Sequence, residues 1–170
     1  MQAHFIGKAK VASMIALTLF TTLYGCKKEF KGEQPNNQYD FDVALFGGAD
    51  GKFAAGSGII KFRQDSDTGQ IATLDTYVLD LLPNHSYQLQ RAVNPIADTT
   101  GCSSTAWLTL GLGSVPQAIH TNSIGAAHIT LWRNLAAVAA GTSFHIHFQV
   151  VDSGTTSTVL SSDCHNFTVK

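Results

Sequence analysis

Leu81-Leu82-Pro83-Asn84-His85-Ser86-Tyr87-Gln88-Leu89-Gln90 is the stretch from which the fold class is read. Leu82 to Ser86 has the composition of a corner, because Pro83 fixes its own φ and Asn tolerates turn geometry. Beyond it Tyr87 and Leu89 alternate with Gln88 and Gln90, and Arg91 continues the first series against Ala92. A period of two with one apolar face predicts a half-buried strand. The same alternation extends both ways along the chain. Tyr39, Phe41, Val43 and Leu45 share a face, followed by a turn at Gly47–Gly51. Ile60 and Phe62 point inward between Ile59, Lys61 and Arg63, and Asp65–Gly69 closes a hairpin into Ile71–Leu81. Further strands are expected at Ala106–Leu112, Ala126–Trp132, Ser143–Val151 and Asn166–Val169, with shorter ones at Gln117–Thr121 and Thr158–Leu160. Asn94–Ser104 reads as a loop carrying Cys102, and Asn134–Ala140 has the composition for a turn or two of helix. About eight short strands with frequent turns predict an all-β, antiparallel two-sheet sandwich or flattened Greek-key barrel. The 14 Thr after Tyr39 agree, because a β-branched side chain suits a pleated surface.

Charge narrows the function classes. Only 14% of the 170 residues are charged, and the length suits one domain. Residues 26–170 hold 9 basic and 12 acidic side chains, and residues 39–170 hold 6 and 10. A mildly acidic domain without a basic stripe excludes nucleic acid as the expected partner.

The amino terminus carries an address. Met1–Lys10 is short and basic, and Val11–Tyr24 then runs 14 residues without charge. That is shorter than the roughly 20 apolar residues of a membrane-spanning helix, and it has the length of a signal-peptide core. Leu23-Tyr24-Gly25-Cys26 resembles the lipobox of bacterial lipoproteins, with Tyr24 where that family carries a small residue. The resemblance implies cleavage before Cys26, diacylation of that residue, and anchoring in the cell envelope. Lys27 in place of Asp points to the outer membrane on the same analogy, with either the periplasmic or the external face open. The chain would then comprise a signal peptide at 1–25, a lipidated tether at 26–38 and a β domain at 39–170. The polar tether KKEFKGEQPNNQ has the composition of a flexible linker. An ordinary secretory signal with a chance cysteine is the alternative.

With Cys26 assigned to lipid, Cys102 and Cys164 are left as an even pair in an oxidising compartment. A disulfide is expected, two separate buried thiols being the alternative.

Several of these features, taken in order, resemble the copper/zinc superoxide dismutase family. Gly58-Ile59-Ile60-Lys61-Phe62-Arg63-Gln64 is close to that family's Gly-x-Ile-x-Phe-x-Gln strand. Leu81-Leu82-Pro83 stands for its Leu-x-Pro corner, and Gly101-Cys102 and Asp163-Cys164 for its bridged cysteines. Gly141-Thr142-Ser143-Phe144-His145-Ile146-His147, with Asp152 and Gly154 after it, is similar to a late strand of that fold. The resemblance covers most of Gly56–Val169. It implies that Gln88 and Gln90 occupy two copper-ligand positions and His147 a third, so these residues would lie near one another. It implies the Cys102–Cys164 bridge as well. The family's zinc loop has no counterpart, and Ser161 stands at the place of its substrate-guiding Arg. Leu81, Pro83 and Tyr87 equally suit the tyrosine corner of an immunoglobulin- or fibronectin-like sandwich, the alternative fold.

These departures bear on chemistry. Dismutation needs a redox metal, and copper of that kind is held by imidazoles rather than neutral amides. Loss of catalysis is the expectation. His145 and His147 project from the same face of one strand, which is half a metal site. Completing it needs His85, His128, His165 or a carboxylate brought close by the fold. Asp65–Gly69 opens like a calcium loop, but Thr76 stands where the bidentate Glu belongs. No G-x-S-x-G is present. Trp107 and Trp132 suit either a core or a sugar-stacking role. The sequence therefore predicts a lipid-anchored envelope protein with a cofactor-free, non-catalytic binding or structural domain and an unidentified protein or glycan partner. The alternatives are a copper- or zinc-binding protein or enzyme built on His145 and His147, and a surface glycan-binding module.

Overall fold

The computed structural model describes residues 40–47, 56–64 and 70–170. The expected signal peptide, Cys26, the tether, Tyr39 and the turns around 48–51 and 65–69 lie outside the described residues. Among the described residues twelve strands are formed: β1 Phe41–Gly47, β2 Ser57–Gln64, β3 Ile71–Leu79, β4 Ser86–Pro95, β5 Leu108–Thr109, β6 Gly111–Leu112, β7 Val115–Pro116, β8 Ala118–His120, β9 Ala127–Asn134, β10 Ser143–Asp152, β11 Thr158–Ser162 and β12 His165–Thr168. No helix occurs among the described residues.

Backbone hydrogen bonds join these strands in the order β5-β4-β10-β11-β1-β2-β3-β9-β6-β7, with β12 beside β10 and β8 beside β4. β5 and β6 stand near opposite ends of this order, yet only Leu110 separates them in the chain. The Leu110 N–H donates to the Leu89 carbonyl on β4 at 2.8 Å, and the Gly113 N–H to the Trp132 carbonyl on β9 at 2.9 Å. Residues 108–112 thus bring the two margins of the sheet together, and the sheet is nearly closed into a barrel.

The all-β class agrees with the sequence, while the finer architecture does not. Twelve strands in one mixed sheet replace the expected eight or so antiparallel strands in two sheets. The expected strand at Ala106–Leu112 is cut in two because it passes from β4 to β9, where Leu112 pairs parallel with Trp132. Gly111 then turns tightly into β7, so tightly that a Cβ there would sit 1.9 Å from the Val115 carbonyl. One edge of β10 is shared by β12 and β11, and a bulge between Val150 and Val151 shifts the register. Asn134–Ala140 forms turns instead of helix. The Asn134 side chain caps Ala136 N–H at 2.7 Å, and Val138 N–H closes on Leu135 O at 2.7 Å. Seven residues cannot repay helix nucleation where such local bonds compete.

The interior is built by the alternation. Phe41, Val43 and Leu45 of β1 face Ile60 and Phe62 of β2, Leu74 and Val78 of β3, and Ile146, Phe148 and Val150 of β10, all buried. Burying each such side chain stabilises the fold by about 1.5–3 kcal/mol before entropy is counted. The corner behaves as read. Tyr87 is buried, and its hydroxyl accepts from Leu82 N–H at 3.0 Å. Burial raises the Tyr87 pKa above its ordinary value. Leu81 N–H donates to the Gly125 carbonyl in the β8–β9 turn at 3.1 Å. At Gly125, with φ +76°, a Cβ would lie 2.0 Å from the Leu81 carbonyl oxygen. The corner and that turn therefore lock together through glycine.

Candidate functional site

Odd-numbered residues of β4 from Tyr87 point inward, so Gln88 and Gln90 face outward. On β10, whose Phe144, Ile146, Phe148 and Val150 point inward, His145, His147 and Gln149 also face outward. The two strands are antiparallel neighbours, with Gln88 opposite Val151, Gln90 opposite Gln149 and Ala92 opposite His147. Gln88, Gln90 and His147 therefore share one outer face. They are not brought into mutual contact. Gln90 is instead held by Gln149, whose amide N–H donates to the Gln90 carbonyl at 2.7 Å. Gln90 donates in turn to Thr109 Oγ1 at 3.2 Å, and the Thr158 hydroxyl donates to Gln149 Oε1 at 2.9 Å. One hydrogen-bonded run thus crosses four strands, Thr109–Gln90–Gln149–Thr158, and each amide oxygen in it is occupied.

His147 is engaged on the same face. Its Nε2–H donates to the Ser104 carbonyl at 3.1 Å, and its ring lies 4.6 Å from the Trp107 ring. The loop that supplies these contacts is fixed at two points. Cys102 and Cys164 are disulfide-bonded with their Cα atoms 5.5 Å apart. Asn94, buried on β4, donates to Asp98 and Ser103 and accepts from Ser104 N–H at 2.9 Å. Hydrogen bonds from Thr100 hold the Asp98 carboxyl below its ordinary pKa. His145 is tied to β12, its Nδ1 2.8 Å from Asn166 Oδ1.

The imidazoles that were candidates to complete a metal site lie elsewhere. His165 faces inward against Phe41, ring centroids 5.5 Å apart, and burial lowers its pKa. His128 stacks on Tyr77 at 4.1 Å and binds Asp75 at 2.8 Å. Thr130 and His128 hold the Asp75 carboxyl below its ordinary pKa. His85 contacts Asp152 at 2.6 Å, and the Asp152 pKa is lowered by Thr155 N–H first and then by Gly154 N–H and His85. Among the described residues no three His, Cys, Asp or Glu side chains gather as metal ligands. At the three positions that the family resemblance assigns to copper ligands stand two neutral amides, Gln88 and Gln90, and an imidazole, His147, bonded to a backbone carbonyl, a set that does not suit copper.

The His85–Asp152 pair and the nearby Ser86 Oγ–His120 Nδ1 contact of 2.9 Å were not foreseen. They do not make a nucleophile relay, because the imidazole beside Ser86 is not the one beside Asp152. No sequence signal marks the pair, since its members lie 67 residues apart. Of the two tryptophans, Trp107 is half-buried and Trp132 is 38% exposed. Comparison with protein-family models, curated proteins and solved structures finds no match to this chain.

Proposed function

We propose that this protein is a lipid-anchored component of the bacterial cell envelope, held through Cys26 in the outer membrane, whose β domain is a non-catalytic binding or structural module. The anchor rests on the lipobox-like Leu23-Tyr24-Gly25-Cys26 and the charge-free stretch before it. The absence of catalysis is supported by the Thr109–Gln90–Gln149–Thr158 run, in which amides bond one another on the face that a dismutase-like fold uses for copper. Neutral amides already bonded to one another are poor ligands for a redox metal. Titration of the full chain with copper and zinc tests this. Binding no tighter than micromolar is expected. Nanomolar binding that is lost in His147→Ala would instead establish the metalloprotein reading built on His145 and His147.

A glycan-binding role is the second reading. It is favoured by Trp132, which pairs with Leu112 and is 38% exposed, an aromatic side chain of the kind that stacks on a sugar ring. Retention of the wild-type protein on immobilised envelope polysaccharide, lost in Trp132→Ala, would support it. No retention of the wild type would exclude it.

A further inference from the structure

The inward series falls short at one end of the barrel. On β3 it begins at Ala72, which pairs across to Arg133 of β9, and on β4 it runs Tyr87, Leu89, Arg91, Val93. An alanine and two arginines thus stand where leucine or valine would fill the core. These three line a cavity of about 80 Å³ together with Phe62, Leu74, Leu110, Phe148 and Phe167. Interiors are close-packed, and voids larger than a water molecule are few in a domain. A gap of this size singles out this end of the barrel.

Its wall is almost entirely carbon. Arg91 and Arg133 contribute hydrocarbon stem, as long cationic side chains do along apolar surface. Arg133 turns its guanidinium to the Gly113 carbonyl at 3.1 Å. Removal from water and then the neighbouring Arg133 charge lower the Arg91 pKa. A polar or charged group placed in the cavity would lose its hydration without a replacement. Two of the lining side chains, Leu135 and Val138, come from the connection between β9 and β10. Ala136, Ala137, Ala139 and Ala140 of that connection are exposed, so Leu135 and Val138 are the side chains by which it packs on the core. Segments with few buried apolar contacts open most easily, which makes this connection the way in.

We propose that this cavity takes the end of an unbranched alkyl chain, inserted beside Leu135 and Val138 with any polar headgroup left in water. The carbon wall selects hydrocarbon. Size selects its shape. A dry cavity of ~150 Å³ accepts benzene, so about 80 Å³ is too small for a six-membered ring and holds only a few carbons in line. Each methylene moved out of water favours binding by about fourfold. This inference stands apart from the anchor and from the metal question. A void that stays empty is the competing account, and it requires no ligand.

Methyl NMR titration of the full-length protein with the 1-alkanols from ethanol to hexanol separates these accounts. Saturable shifts of the Leu110, Leu135 and Val138 methyl groups are expected, with affinity rising about fourfold per carbon and levelling off once the cavity is full. Cyclohexylmethanol, whose ring does not fit, is expected to bind at least about tenfold more weakly than hexanol. Ala72→Leu and Val138→Phe each fill the space from a different side, and each is expected to weaken hexanol by at least about tenfold. Dihexanoylphosphatidylcholine identifies the source of the chain. Shifts of the same methyl groups with it assign the chain to a lipid, shifts with hexanol alone assign it to a free molecule, and either upholds the site. Absence of saturable shifts in the wild type would overturn the proposal, whatever the variants do. Equal affinity for cyclohexylmethanol, or undiminished hexanol binding in a folded Ala72→Leu or Val138→Phe protein, would overturn it as well.

Discussion

Tyr87 does two things at once: its ring fills the barrel interior and its hydroxyl satisfies the Leu82 N–H at the corner. Tyr87→Phe keeps the ring and leaves a polar hydrogen without a partner, so urea unfolding should show a loss of about 1–2 kcal/mol. The residue was legible in the sequence because its role is local, five positions from its partner and in phase with Leu89. Arg91 was legible in phase only. Its inward position follows from the alternation, but its cationic neighbour Arg133 lies on a strand 42 residues away in the chain. His165 contributes to the pH response near neutrality. Burial against Phe41 keeps its pKa below the ordinary 6.5. As pH falls through 6.5 the unfolded chain takes up a proton that the native chain resists. Stability is therefore fully present above that value and declines towards the lowered native pKa. The lowered carboxylates Asp75, Asp98 and Asp152 act only further down, below their ordinary value of 3.8. His165→Phe should flatten the unfolding midpoint between the two ranges, measured by urea melts at stepped pH.

Strand positions were readable wherever one face is buried, because a period of two survives without knowledge of the partner strand. Pairing was not readable. Nothing local in Ala106–Leu112 says that one half of it joins β4 and the other β9. Glycine marks where elements meet most closely, and Gly125 is the clearest case. A Cβ there would strike the Leu81 carbonyl at 2.0 Å in a backbone conformation with φ +76°. Gly125→Ala should therefore cost at least about 2 kcal/mol, more than an exposed turn glycine would. The candidate face of β4 and β10 shows the same division. The sequence placed Gln88, Gln90 and His147 on strands with outward phase. It could not show that Gln149 would close on Gln90 across the strand pair, since that contact spans 59 residues. Gln149→Ala removes the donor to the half-buried Gln90 side-chain carbonyl, and a loss of about 1–2 kcal/mol in the same assay is expected.

On the scale of the whole molecule, one covalent link joins the loop over the β4–β10 face to the approach of β12. The Cys102–Cys164 bridge spans 62 residues. On the chain-entropy account its removal lowers stability by about 4 kcal/mol. Combined Cys102→Ala and Cys164→Ala substitution should therefore shift the thermal midpoint down steeply, whereas reducing agent should leave that variant unchanged. The domain, its bridge and its anchor together make up the proposed envelope module, and they meet in one quantity. Native mass spectrometry of the wild-type protein extracted from membranes reads the processing, the lipid, the disulfide and any retained metal at once. The predicted mass is that of Cys26–Lys170 plus acyl chains, less two hydrogens, without copper or zinc. An unprocessed or unacylated chain, or a stoichiometric metal adduct at Cys26-anchored mass, would contradict it.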